Sequence, residues 1–250
     1  FGLKPGSPAI QLGIQSIDLR QVGLYGDAAW VNEANHSKCA KRPLPPRPPP
    51  PKPLELADDF EATPLGAHPA HAIVSGEEQG ATICVADDRA AAGHRSLKIT
   101  DRRALQPTWQ PHFYYEPHLQ TGRVRQSFDA WLATNAQFFT EWRDTTEYPQ
   151  NVGPSVRFDG NGQVSVGGQV LATLPPERWV HVVIEAEIGK TAPHIFRLTV
   201  QAAGEGPRTF PDLPFGGKDF TELHWLGFSS TAAADTVFHL DNVRLQRVNE

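Results

Sequence analysis

From residue 124 to residue 245, apolar side chains recur at every second position in short runs separated by turn residues. That period builds strands and is incompatible with amphipathic helices. The clearest run is 179–188 (WVHVVIEAEI), in which Val180, Val182, Ile184, Ala186 and Ile188 share one face, while His181, Val183, Glu185 and Glu187 share the other. Residues 195–201 alternate Phe196, Leu198 and Val200 against Arg197, Thr199 and Gln201, and the same period runs through 124–132, 138–144, 154–158, 163–166, 223–229 and 237–245. FDGNG after residue 157, the Gly167–Gly168 pair, PPE before Trp179 and PFGGKD at 214–219 punctuate the runs with turn chemistry. No amphipathic helix intervenes, so many short strands at this spacing predict an all-β sandwich or barrel.

The rest of the chain divides by composition. Residues 1–35 carry Gly or Pro every few positions and cannot form a long helix. Residues 36–53 contain KRPLPPRPPPPKP, where consecutive prolines fix φ and remove donors, giving a polyproline II rod. Such a rod is a stiff spacer first. Its PxxP spacing beside basic residues would also suit a docking ligand. Residues 54–250 form the sandwich. Cys39 lies before the rod and Cys84 in the strand-like run ATICVADD, and a disulfide between them is one reading, a buried thiol beside an exposed one the other.

Two resemblances sharpen this division. LKPGSPAI followed by LGIQSIDLRQVGLYG resembles the last coil and exit segment of secreted bacterial right-handed parallel β-helix proteins. That resemblance, together with a chain that starts at Phe1 and has no Met, implies a piece of a longer exported protein whose main activity lies upstream. Within 54–250, DDFEATPLGAHP, GHRSLKITD, GPSVRFDGNGQV, PPERWVHVVIEAEIGK and LGFSSTAAADTVFHLDNVRL resemble, in order, the segments of concanavalin A-like (laminin-G-like) domains. The fold so implied is an antiparallel jelly-roll β-sandwich. The function so implied is binding of a polysaccharide or cell-surface glycan by a non-catalytic accessory module. The alternatives are an assembly domain packing on the parent β-helix or on another protein, and a polysaccharide lyase or glycoside hydrolase.

Candidate residues follow from faces and chemistry. Phe60 in DDFEA points to the core, which leaves Asp59 and Glu61 outward, and in FHLDNVRL Phe238 and Leu240 point in, which leaves His239 and Asp241 outward before a bulge. Pairing of the first and last strands would gather Asp59, Glu61 and Asp241, hard oxygen ligands suited to a structural calcium, as related carbohydrate-binding sandwiches hold. Sugar rings stack on exposed aromatic faces. Trp109, in QPTWQPHFYYEPH with His112 and Tyr114, is one platform. Trp131, sharing its strand face with Arg125 and Asp129, is another. Trp179 and Trp225 fit buried strand positions, Trp142 shares a face with Phe138, Thr140 and Asp144, and Arg143 with Asp144 reads as an ion pair between neighbouring strands.

Catalysis needs more than this. The carboxylate pairs available are Glu185 with Glu187, about 7 Å apart on one strand face, and Glu141 with Asp144; neither has the third acid of the ExDxE pattern that glycosidases of this fold carry. Arg125, His112, Tyr114 and Tyr115 supply lyase-type side chains without the strand motifs that present them. No HExxH, GxSxG or phosphate-loop motif occurs. A net charge of −5 and a pI near 6.1 supply no field for nucleic acid or an anionic membrane, and no apolar run suits membrane insertion. The implied location is extracellular, periplasmic or on the cell surface.

Overall fold

The computed structural model describes residues 3–15, 26–36, 49–103 and 105–248. The chain divides into two compact units, Phe1–Pro49 and Pro50–Glu250. In the first, α1 (Pro8–Gln11) begins with Pro at its first turn after the Ser7 cap, and α2 (Ala28–His36) is capped by Asp27, whose Oδ1 accepts from the Ala29 amide at 2.8 Å. Residues 3–15 and 26–36 contain no strand. Residues 16–25, most of the proline rod and Cys39 lie outside the described residues, so the disulfide expectation lies there too.

The strands of the second unit are β1 (Leu56–Asp58), β2 (Ile73–Ser75), β3 (Thr82–Ala86), β4 (Ser96–Asp101), β5 (His112–Tyr115), β6 (Gly122–Leu132), β7 (Gln137–Asp144), β8 (Asn151–Asp159), β9 (Gln163–Val166), β10 (Gln169–Thr173), β11 (Val180–Ile188), β12 (Ile195–Ala202), β13 (Arg208–Pro214), β14 (Trp225–Ser230) and β15 (Thr236–Val248). They form two antiparallel sheets. The eight-stranded sheet runs β13-β12-β11-β6-β15-β4-β3, with β1 also paired to β15; the seven-stranded sheet runs β10-β9-β8-β7-β14-β5-β2. The fold is the expected all-β sandwich, and its first and last strands pair as expected, with Asp58 opposite Val243. The bulge on β15 falls between Asp241 and Arg244, so one long strand serves β4 with its first half and β1 with its second.

Alternation places the core. On β6, β11 and β12 the even-numbered apolar residues point inward, and they meet the inner faces of β7, β8 and β14. The centre is aromatic. Phe138 stacks on Phe238 at 4.6 Å and on Phe158 at 4.9 Å, while Phe128 meets Phe228 edge-on at 5.2 Å, tying one sheet to the other. One polar network crosses it: Trp142 Nε1 donates to Gln126 Oε1 at 2.5 Å, and Gln126 Nε2 donates to Thr140 Oγ1 at 2.9 Å, all three side chains being buried. The β9–β10 hairpin closes on Gly167 and Gly168 with φ of 56° and 81°, the two positive values that a type I′ turn requires. β13 tolerates Pro211 because it is an edge strand.

Candidate functional site

The outer face of the seven-stranded sheet carries a groove of about 760 Å³. Its floor comes from β5, β7, β8 and β14, whose odd and even positions alternate between core and groove. On β7, Phe138, Thr140 and Trp142 go inward, while Phe139, Glu141 and Arg143 face the groove. On β14, Leu226 and Phe228 go inward, while Trp225 and Ser229 face outward.

A row of rings lines this face. Trp109 meets His112 edge-on at 5.1 Å, His112 lies parallel to Tyr114 at 6.1 Å, and Tyr114 stacks on Trp225 at 5.5 Å. The Arg143 guanidinium sits 4.1 Å over Trp225 and closes the row. Gly227 makes this possible. A Cβ there would lie 1.9 Å from the Trp225 ring, so only glycine lets the indole lie flat along the sheet. Trp109, at the end of the row, is 46% exposed, and Tyr148, in the β7–β8 loop, lines the same groove and is 90% exposed.

The groove's polar groups are ordered by each other. Glu141 accepts from Arg143 Nε at 2.5 Å and from Ser155 Oγ at 2.9 Å, which holds its carboxylate in place across β7 and β8. His112 Nδ1 lies 2.9 Å from Gln110 Oε1; an amide oxygen can only accept, so Nδ1 carries the proton and Nε2 keeps its lone pair. Burial, reinforced by the Arg143 charge, holds the His112 pKa below the usual histidine range, so the ring is neutral.

The structure divides the six residues read as ligand-binding. Trp109, His112 and Tyr114 share the groove face. Arg125, Asp129 and Trp131 lie on β6 in the other sheet and face away from it, so the six do not form one platform. Trp131 is only 6% exposed, because the Arg89 guanidinium covers its ring at 3.7 Å and His239 packs edge-on at 5.8 Å. Asp129 is engaged by His181 at 2.7 Å and by Asn242 Nδ2 at 2.7 Å. Arg125 stands opposite Glu185 and Gln246.

The acids read as calcium ligands serve the backbone instead. Glu61 Oε1 accepts from the amides of His94 and Arg95 at 2.7 and 2.8 Å, and these bonds hold its pKa below the usual carboxylate range. Asp241 Oδ2 accepts from Ala91 and Ala92 at 2.8 and 3.2 Å. Asp59 accepts from the Glu61 amide. Glu61 and Asp241 thus grip the 87–95 loop from two sides, the Glu61 carboxylate occupying the space that a Cβ on Gly93 would fill. Among the described residues no three His, Cys, Asp or Glu side chains converge to hold a metal.

Other expectations are corrected in the same way. Trp225 and Trp179 are half-buried rather than core. Arg143 pairs with Glu141, whereas Asp144 turns inward to Thr146 and Thr221 and so cannot act with Glu141 as a catalytic pair. Glu185 and Glu187 lie on the outer face of the eight-stranded sheet, away from the groove. Tyr115 is fully buried in the core. Sequence reasoning missed Tyr148, Arg157 and the placement of Trp225. The face Trp225-Gly227-Ser229 held a signal, since Gly and Ser beside a Trp make a poor core stripe.

No protein-family model matches this chain, and no curated protein matches it in sequence. Solved structures do match. The alginate lyase from Aplysia kurodai superposes with a TM-score of 0.52 at 12% identity, covering 71% of this chain and 90% of that chain. The endo-β-1,4-glucuronan lyase from Trichoderma reesei superposes with a TM-score of 0.50 at 11% identity, covering 70% and 90%. The fold is thus a jelly-roll β-sandwich of the kind found among carbohydrate-active proteins. At these identities the likeness is one of fold, and function must be argued from the site.

Proposed function

We propose that the sandwich is a non-catalytic carbohydrate-binding module of an exported protein and that a polysaccharide lies along the outer face of the seven-stranded sheet. The observation that carries this reading is the pair of exposed aromatics, Trp109 and Tyr148, beside an open groove whose polar side chains are already ordered. Aromatic faces pack against the CH groups of pyranose rings, and fixed polar groups read the hydroxyls with little ordering cost. The solved structures of similar fold include lyases of alginate and of glucuronan, which accords with a glycan ligand. Glu141 is the one carboxylate lining the groove among the described residues, and it is held by Arg143 and Ser155; paired acid catalysis has no second acid there. Attachment to a longer exported protein through the proline rod belongs to the same proposal. Among the described residues no helix is long and apolar enough to cross a membrane.

Affinity electrophoresis and calorimetry with the full chain against neutral and acidic polysaccharides test the proposal. At least one glycan should bind, and the double substitution W109A/Y148A should weaken that binding about tenfold or more. Absence of binding to every glycan, or a double variant that binds as tightly as the wild type, would overturn it. Release of new reducing ends in the same mixtures would instead make the groove a catalytic one.

A further inference from the structure

The groove is lined by two guanidinium groups, Arg143 and Arg157, and by one carboxylate, Glu141. Glu141 is engaged by Arg143 and Ser155, and Asp159, beside Arg157, accepts from the amides of Asn161 and Gln163 at 2.9 and 3.0 Å. Arg157 is exposed, and its guanidinium lies 5.1 Å from the centre of the Phe139 ring. Stacking holds one face of the planar group while leaving its N–H edge free to donate. Among the described residues that guanidinium has no hydrogen bond or ion pair.

The same pattern recurs further along. Two smaller depressions adjoin the groove through Thr231, which lines all three: one of about 130 Å³ contains Arg157, Gln163 and Ser165, and one of about 360 Å³ contains Arg103, Gln106 and Gln110. Arg103 is exposed, and its backbone amide is bonded to Asp235 at 2.7 Å, but its guanidinium has no partner among the described residues. Two unpaired guanidinium groups therefore flank one continuous face of a chain whose net charge is −5. A planar oxyanion is the partner each lacks, because it accepts two parallel N–H bonds from one guanidinium.

Resting on the carbohydrate reading above, we infer that the groove selects an acidic polysaccharide, whose pyranose rings stack on Trp109 and Tyr148 while a ring carboxylate or sulfate meets Arg157 and the chain continues past Thr231 toward Arg103. Neutral glycans would find the stacking platforms but leave both guanidinium groups with water alone. Attraction of this kind weakens with salt, as exposed charges are screened over about 10 Å at 0.1 M.

Calorimetry with the full chain tests this using polygalacturonate for the carboxylate, dextran sulfate for the sulfate, and xylan and mixed-linkage β-glucan as neutral chains. Acidic glycans should bind about tenfold or more tightly than neutral ones at low salt, and the tighter of the two acidic arms identifies the oxyanion. R157Q should lose about tenfold in affinity for the acidic glycan and nothing for a neutral one, with R157K recovering part of the loss. Circular dichroism verifies that each variant is folded. Neutral chains bound as well as acidic ones, or R157Q indistinguishable from wild type, would overturn the acidic selectivity and leave the carbohydrate reading intact; binding of no glycan at all sinks both.

Discussion

Acid should loosen this sandwich through one buried imidazole. His239 lies on the outer face of β15, is 1% exposed, and is roofed by the 87–95 loop. Its Nδ1 stands 3.0 Å from Ser96 Oγ, which itself donates to the Arg89 carbonyl at 2.6 Å, so the imidazole must donate to the serine oxygen. Burial pushes its pKa from 6.5 down to about 4; Lys98 and Arg89 add to the fall, and Asp88 opposes it. A folded-state pKa below the unfolded value means that the unfolded chain takes up the proton first. Stability is therefore complete above pH 6.5 and is lost as pH falls toward 4. At about 1.4 kcal/mol per pH unit, His239 removes roughly 1.4 kcal/mol at pH 5.5 and roughly 3 kcal/mol by pH 4. That is a large share of the about 5–15 kcal/mol that stabilises a typical domain. His239→Asn keeps an N–H for Ser96 and removes the titration. Urea unfolding of both proteins at pH 7.5, 6.5, 5.5 and 4.5 reads the effect of the imidazole together with its interaction with Asp88, because the two proteins share every carboxylate and Asp88 is the one whose charge acts on His239. The wild type should lose stability faster than the variant below pH 6.5. Parallel curves for the two proteins would refute the assignment.

Gly227→Ala should evict the Trp225 ring from the sheet, shift tryptophan emission and weaken glycan binding about tenfold, because the new Cβ would lie 1.9 Å from the indole; unaltered emission and binding would show that the flat ring is not required. Gln126→Leu strands Trp142 Nε1 and should cost about 1–3 kcal/mol in urea unfolding, whereas adding Trp142→Phe should cost less than the sum of the two single changes; strict additivity would deny the network. With Glu61 and Asp241 bonded to amides, a chelator should leave the melting temperature unchanged, and a fall on chelation would restore the calcium reading. Glu61→Ala should instead speed proteolysis within residues 87–95, and cleavage at the wild-type rate would show that the loop is held by other contacts.

The strands were legible where one face is buried and the other wet, because alternation then writes itself into the sequence. β6, β7, β11 and β12 match the expected runs to within about two residues at each end. β10 and β13 were not legible: both lie at sheet edges with only one buried residue between them, so burial imposes no clear period. β5 was hidden for a different reason. In HFYY all four side chains are aromatic, so hydrophobicity does not distinguish Phe113 and Tyr115, which enter the core, from His112 and Tyr114, which face the groove.

The candidate site was half legible for the same physical reason. Face parity within a strand is local, and it correctly put Trp131, Arg125 and Asp129 together and outward on β6. Which sheet that strand joins, and what lies over it, is not local. An outward Trp on the eight-stranded sheet is covered by Arg89 from the 87–95 loop, while an outward Trp on the seven-stranded sheet opens onto a groove. Loops decide this, and their positions come from contacts made far along the chain, such as Asp241 holding the amides of Ala91 and Ala92. The binding face is therefore set by the covering of one sheet as much as by the aromatics of the other.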